Sequence, residues 1–254
     1  MYKLVETDKE IKKVRAFCSE GYFGARINTA IAAYGADDRF VRTWFEESDG
    51  AVVGVMQITE DAAVVKCTAK ADFESLAALL LFAGAKTVIG NADYIANLPF
   101  VQTDKGYIMS AEKTQLPLFS AEKTDSEQLP LLYPVLFGKT VEQADRRAYM
   151  AWFADLSHRV RHGLSEWFYV AQNNAFVSCA GILYSNAQYA CIGGVATLPE
   201  ARKRGFGRIC TLTAARSALQ NGQIPCLACA DNGIEKWYAG MGFAVCGQWM
   251  QMKI

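Results

Sequence analysis

The sequence has no net charge, because 26 Lys and Arg balance 26 Asp and Glu. A neutral chain offers no broad field for nucleic acid or an anionic membrane, so neither is expected as a partner. Long hydrophobic runs are lacking too. The longest apolar stretch, residues 76–85, is shorter than the ~18 residues of a membrane span and follows Asp72 and Glu74. The first ten residues are charged throughout, unlike a signal peptide, so a cytoplasmic location is expected. Histidine is scarce, with only His158 and His162. Of eight cysteines only Cys226 and Cys229 stand close together, and no second Cys-x-x-Cys accompanies them. Residues three apart on a strand point to opposite faces, which spoils joint ligation. No metal is expected, and the thiols read as small, reduced hydrophobes.

What is present is a globular composition. With 254 residues, 52% of them hydrophobic, the chain can form one large domain or two small ones. Its most informative stretch is Val195-Ala-Thr-Leu-Pro-Glu-Ala-Arg-Lys-Arg-Gly-Phe-Gly207. A strand stops at Pro199, a basic turn with two glycines follows, and a helix is predicted over 208–220, with Ile209, Leu212, Ala215 and Leu219 on one face. A helix that starts after Gly205 and Gly207 leaves its first N–H groups unpaired in the turn. Those groups and the helix dipole favour an anion. Arg202, Lys203, Arg204 and Arg208 add positive charge. The combination suits a diphosphate-bearing ligand. No Gly-Lys-Ser/Thr follows, so it is not a Walker loop, and the Gly-x-Gly-x-x-Gly of dinucleotide folds is missing.

The pattern Arg202-x-x-Gly205-x-Gly207, preceded by Val195-x-Thr197-x-Pro199, resembles the acyl-CoA loop of the GNAT N-acetyltransferases. The order of predicted elements over about 125–254 is similar to the fold of that family. Helices at 126–137 (interrupted by Pro130 and Pro134) and 141–162 come first. Strands at 167–172, 175–184 and 188–197 follow, then the helix after the loop, a strand at 224–230, a short helix at 233–239 and a strand or hairpin at 243–254. The N-terminal half repeats this order more faintly: a helix at 9–20, strands at 42–47, 51–58 and 62–68, a helix at 72–83, a strand at 86–90, a short helix at 91–97 and a strand at 106–113. Where its loop should lie stands Cys67-Thr-Ala-Lys-Ala-Asp-Phe73, with no glycine pair and Lys70 as the only basic residue.

The resemblance implies an α/β fold with a mixed, mostly antiparallel sheet flanked by helices, the acyl-CoA N-acyltransferase fold, in two tandem copies. The first copy, residues 1–115, is degenerate; the second, residues 125–254, is the N-acetyltransferase domain, with a polar linker near 114–124. It implies transfer of an acetyl group from acetyl-CoA to a primary amine by direct attack in a ternary complex, without a metal. Residues Arg202, Lys203, Arg204, Gly205, Phe206, Gly207 and Arg208 would hold the diphosphate. Free backbone N–H groups near Val195, Ala196 and Thr197 would hold the thioester carbonyl and pantetheine arm, with Gly193-Gly194 loosening the strand.

Trp237-Tyr238-Ala-Gly-Met-Gly242-Phe243 resembles the family segment in which a tyrosine four residues before Gly-Phe protonates the leaving thiolate, which makes Tyr238 the catalytic candidate. Asn232 resembles an asparagine that contacts CoA, although it stands six residues before Tyr238 and not seven, and a helix N-cap fits it as well. The strand before the loop has no acid; Glu166 and His162 are the nearest general-base candidates, and each also reads as a solvated surface group. A water chain to solvent can replace a base.

The degenerate half would shape the acceptor pocket or a homodimer surface, and the acceptor itself is a small-molecule or peptide amine. Trp152, Trp167, Phe168, Tyr169 and Tyr184 fit a pocket wall and a core equally well. Two other readings compete. A non-catalytic acyl-CoA-binding or regulatory module fits the missing base. An aminoacyl transferase using charged tRNA is opposed by the neutral chain.

Overall fold

The computed structural model describes residues 1–37, 40–114 and 120–254. The chain begins with a two-residue strand β1 (Lys3–Leu4) and helix α1 (Asp8–Phe17). Thr7 caps α1, accepting from the Glu10 N–H while the Glu10 carboxylate returns to the Thr7 N–H. A second helix, α2 (Gly21–Tyr34), follows at once. Strands β2 (Val41–Ser48), β3 (Ala51–Thr59) and β4 (Ala62–Cys67) then form a meander. Asp49 and Gly50, both with positive φ, make the tight β2–β3 turn. Helix α3 (Phe73–Phe82), strand β5 (Thr87–Asn91), the short helix α4 (Ala92–Ile95) and strand β6 (Val101–Ser110) complete the first half.

The second half opens with the edge strand β7 (Glu122–Lys123). Helix α5 (Leu132–Phe137) and the longer helix α6 (Arg146–Arg161) follow. Then come β8 (Glu166–Gln172), β9 (Ala175–Ser185), β10 (Tyr189–Thr197), α7 (Phe206–Gln220), β11 (Ile224–Ala230), α8 (Ile234–Ala239) and β12 (Ala244–Lys253). The β8–β9 turn uses Asn173 and Asn174, both with positive φ.

The twelve strands among the described residues form one sheet, in the order β1-β2-β3-β4-β5-β12-β6-β11-β10-β9-β8-β7. Most pairs are antiparallel; β4–β5 and β10–β11, joined through the crossover helices α3 and α7, are parallel. Each half gives its last strand to the other. β12 lies antiparallel between β5 and β6, and β6 lies between β12 and β11. Residues 115–119 of the expected linker lie outside the described residues.

Helices cover both faces, so the central strands are apolar on both sides. Alternation along β4 makes this concrete. Val64 packs with Val14, Phe23 and Ile27 of α1 and α2, whereas Val65 packs with Leu76 and Leu80 of α3. On β6 the same switch sends Ile108 toward Phe23 and Ile27 and Met109 toward Leu212 and Ala215 of α7. Helices α1, α2, α5 and α6 therefore lie on one face and α3, α4, α7 and α8 on the other. Cys226 packs with Ala25 of α2 and Cys229 with α7 and α8, on opposite faces of β11.

Several boundaries differ from expectation. The helix predicted over 9–20 ends at Phe17, and α2, which the sequence reading passed over, begins at Gly21, whose φ of 73° breaks the chain direction. The helix predicted over 141–162 starts only at Arg146, where the Asp145 carboxylate accepts from the Ala148 N–H. The final segment is one strand, not a hairpin. No helix among the described residues is long and apolar enough to cross a membrane.

Candidate active site

The site grows out of a failure of strand pairing. β10 and β11 run in register from Tyr189↔Ile224 to Ile192↔Leu227, and there the register stops. On its other side β10 slips against β9 between Gly193 and Ala196. Gly194 makes this bulge. Its φ is 58°, and a Cβ there would collide with the Trp167 ring. The strands consequently splay, and Gly193, Gly194, Val195, Ala196 and Thr197 have no pairing partner on the β11 side. The end of β10 is still anchored. The Ser178 hydroxyl lies 2.9 Å from both the Ala196 carbonyl and the Thr197 hydroxyl.

A single turn of 3-10 helix (Pro199–Ala201) then leads through Lys203 (φ 61°) and Gly205 (φ 83°) into α7. The first intrahelical bond runs from the Ile209 N–H to the Gly205 carbonyl, at 3.0 Å. No side chain among the described residues caps this helix. The N–H groups of Phe206 and Gly207 are therefore left for an external acceptor, with the positive end of the helix dipole behind them.

The splay and the helix start open into one cavity of about 720 Å³. Its floor is Val195 to Pro199. Its sides are Arg202, Lys203, Gly205, Phe206 and Gly207, the end of α5 from Val135 to Gly138, and Trp237 and Tyr238 of α8. Tyr238 is 7% exposed. Burial, with Cys229 nearby, pushes its phenol up to about 12. At neutral pH it is fully protonated and can donate to a charge that develops beside it. Against a thiolate whose conjugate acid has a pKa near ~8.5, full transfer of that proton is uphill. Tyr238 is thus equipped to hydrogen-bond developing thiolate rather than to act as a strong acid.

Of the basic residues named from the sequence, Arg202 and Lys203 line the cavity. Arg204 turns away to the Gln172 amide oxygen, at 2.7 Å, and stacks over Phe206. Arg208 donates to the Gly240 carbonyl at 3.1 Å, tying α7 to α8. Asn232 lies outside the lining; its side-chain oxygen accepts from the Ile234 N–H two residues on, at 3.3 Å, while Gly233 and not Asn232 is the N-cap of α8. The base candidates lie elsewhere. Glu166 is held by Lys123 and Ser217, each at 2.9 Å. His162 sits exposed at the end of α6, its Nδ1 2.8 Å from the His158 carbonyl.

Trp167 and Tyr169 pack in the core with Leu129, Leu132 and Leu156, and Phe168 packs with α7 on the other face. The sequence reading did not place Val135 to Gly138 at the site. Helix α5 ends at Gly138, whose φ of 65° and N–H bond to the Pro134 carbonyl close its last turn, and that turn forms a wall of the cavity.

The first half has the same splay with a smaller cavity, of about 260 Å³, lined by Lys66 and Cys67 of β4, Asn91 of β5 and Tyr94. β4 and β5 pair only from Ala62↔Thr87 to Val64↔Ile89. The gap beyond is crossed by Lys66, whose ammonium donates to the carbonyls of Phe17 and Glu20 at 2.6 and 2.8 Å. The start of α3 already has its own anion. The Asp72 carboxylate accepts from the Ser75 N–H and hydroxyl at 2.9 and 2.6 Å. That carboxylate sits where an external phosphate would have to bind.

Residues 128–243 match the model of the Acetyltransferase (GNAT) family. No curated protein matches the sequence. Solved structures resemble it over its full length. A tandem GNAT protein from the clavulanic acid biosynthesis pathway, solved without AcCoA, superposes with a TM-score of 0.66 at 12% identity, covering 100% of this chain and 98% of that one. A GNAT-family acetyltransferase from Colwellia psychrerythraea gives 0.61 at 14% identity, covering 100% and 99%. A Drosophila protein gives 0.68 at 9% identity, covering 100% and 98%. Acyl transfer is the general chemistry of the family, and residues 128–243 form a GNAT acetyltransferase-family domain within a chain that has the tandem GNAT fold from end to end.

Proposed function

We propose that the second half of this chain transfers the acetyl group of acetyl-CoA to a primary amine by direct attack in a ternary complex. The observation that carries the reading is one cavity that joins an uncapped helix N-terminus, an unpaired strand edge and a protonated tyrosine. The residues suit the ligand. The N–H groups of Phe206 and Gly207 at the start of α7, with Arg202 and Lys203, fit a diphosphate. The apolar wall of Val135, Leu136, Phe137 and Trp237 fits a pantetheine arm.

The chemistry assigned to the chain is limited and specific. Unpaired N–H groups of β10 hold the thioester carbonyl and take up the negative charge as the amine adds. Tyr238 donates a hydrogen bond to the sulfur as the carbon–sulfur bond breaks. The proton lost by the amine goes to solvent, which also protonates the released thiolate. Cys191 takes no part as a nucleophile, because burial beside Cys226, Sγ to Sγ 3.3 Å, holds its thiol protonated.

A second reading, an acyl-CoA-binding module without turnover, rests on one feature: among the described residues that line the cavity there is no Asp, Glu or His. Calorimetric titration with acetyl-CoA, followed by a screen of amines, decides between them. We expect one site per chain. Gly205→Ala should weaken binding modestly, through backbone strain of about 1 kcal/mol at its positive φ. Gly205→Glu should abolish it, by setting a carboxylate against the diphosphate. Two sites would contradict the degenerate reading of the first half. Binding without turnover on any amine would favour the module, and no binding would end both readings.

A further inference from the structure

Between the two halves lies another cavity, of about 190 Å³, that shares no residue with the first. Helix α2 forms one wall and α6 another; β3, β4 and the end of β9 close it. Three charged side chains line it, and they are not balanced. The Asp155 carboxylate accepts from the Tyr34 hydroxyl at 2.6 Å and from the Arg159 guanidinium. Arg159 donates further to the Leu183 carbonyl at 3.1 Å. Arg26 has neither a hydrogen bond nor an ion pair among the described residues. Its guanidinium carbon lies 5.6 Å from the Tyr184 ring centroid, and that of Arg159 lies 5.8 Å from the same ring.

Two guanidinium groups gathered on one ring at the edge of a small cavity repel each other, and one carboxylate neutralises only half of their charge. Such an arrangement is costly without an anion and favourable with one. The donor chemistry narrows the class. A guanidinium presents a planar fork that matches a carboxylate in two parallel hydrogen bonds, which an ammonium would not. The volume narrows it further, because sites for drug-sized ligands or nucleotides occupy roughly 300–1,000 Å³. We propose that this inter-half cavity binds a small organic acid through its carboxylate, with Arg26 as the group that grips it. The site does not depend on the transferase reading, since neither cavity borrows a residue from the other.

The test is calorimetric titration of the full chain with succinate as probe, at constant ionic strength, with chloride as the control anion. The expected result is saturable one-to-one binding that chloride does not reproduce and that raises the melting temperature. Arg26→Gln should weaken it at least about 10-fold. It should also leave the melting temperature of the ligand-free protein unchanged or higher, because it removes an unbalanced charge, whereas a purely structural stack on Tyr184 would lower it. Arg26→Lys keeps the charge but loses the fork, and should fall between. Gly205→Glu should bind succinate as the parent does, which separates this site from the acetyl-CoA cavity. No saturation up to about 10 mM, well past a Kd of about 1 mM, would overturn the proposal. Equal succinate affinity in Arg26→Gln and the parent would overturn it as well.

Discussion

At the scale of single residues, the proposed chemistry turns on Tyr238, and its pKa makes a sharp expectation. A phenol raised to about 12 keeps its proton throughout the neutral and mildly alkaline range. The rate should therefore rise with pH as the acceptor amine loses its proton and then stay level, with no descending limb below about pH 11. Tyr238→Phe should lower kcat about 10- to 100-fold, leave acetyl-CoA affinity nearly unchanged and keep the shape of that profile. A descending limb near pH 9–10 that vanishes in Tyr238→Phe would mean that the tyrosine gives up its proton as a true acid. An unchanged kcat would remove it from the reaction. The same shift bears on stability. The buried neutral phenol supports the fold fully below its unfolded value of about 10, and that support is lost as pH rises toward 12.

Local pattern made part of this site legible. Gly205, Gly207 and Tyr238 stand at spacings that the sequence displays, and all three line one cavity. Charge alone was a poorer guide, because a basic side chain near a loop can serve the protein as easily as a ligand. Arg204 and Arg208 found acceptors in Gln172 and Gly240, contacts 32 residues away in the chain that no local pattern reveals.

At the scale of elements, the two halves differ in what occupies equivalent places. In the second half a splay and a bare helix start remain open. In the first, Lys66 bridges the splay and Asp72 caps the helix. Replacing Lys66 by Ala removes the charged hydrogen bonds to the carbonyls of Phe17 and Glu20, at the end of α1 and the start of α2, and should cost about 1–3 kcal/mol in urea unfolding. It should not create a second acetyl-CoA site, because the Asp72 carboxylate still excludes an anion. A gain of a second site in Lys66→Ala would show that Lys66 alone closes this half. Helix α2 was the main element that the sequence concealed. Gly21 and Gly24 obscure its start, yet Phe23, Ile27 and Ile31 mark a helical face. Its burial against both halves, through Val64 and Ile108 on one side and Cys191 and Cys226 on the other, depends on a docking that the helix itself does not encode.

At the scale of the whole molecule, the exchange of β6 and β12 decides how stability is distributed. Antiparallel pairing of β12 with β5 runs from Trp249↔Asn91 to Lys253↔Thr87, and pairing of β11 with β6 from Cys226↔Ser110 to Ala230↔Gly106. Neither half closes its sheet alone. Thermal or urea unfolding should therefore show a single transition by both tryptophan fluorescence and far-UV circular dichroism. Deleting residues 244–254 should unfold both halves together, and two resolved transitions would mean that the halves are independent. Strand identity was legible from alternation and turns, but the partner of a strand was not, because pairing order is a long-range property. A reader of the sequence could see β6 and β12 and could not see that they had changed places.

That exchange also sets a timetable for synthesis. When Ser110 has left the ribosome, the segments of β5 and β6 have been made and the strand that lies between them has not. That strand is missing until residues 244–253 are made. At about 5–20 residues per second the wait is roughly ten seconds or more. During it the segments of β5 and β6 lack the partner that will lie between them, and unpaired strand segments are templates for association with other chains. A chaperone that shields strand edges has its opportunity there, and the finished protein carries no trace of the need.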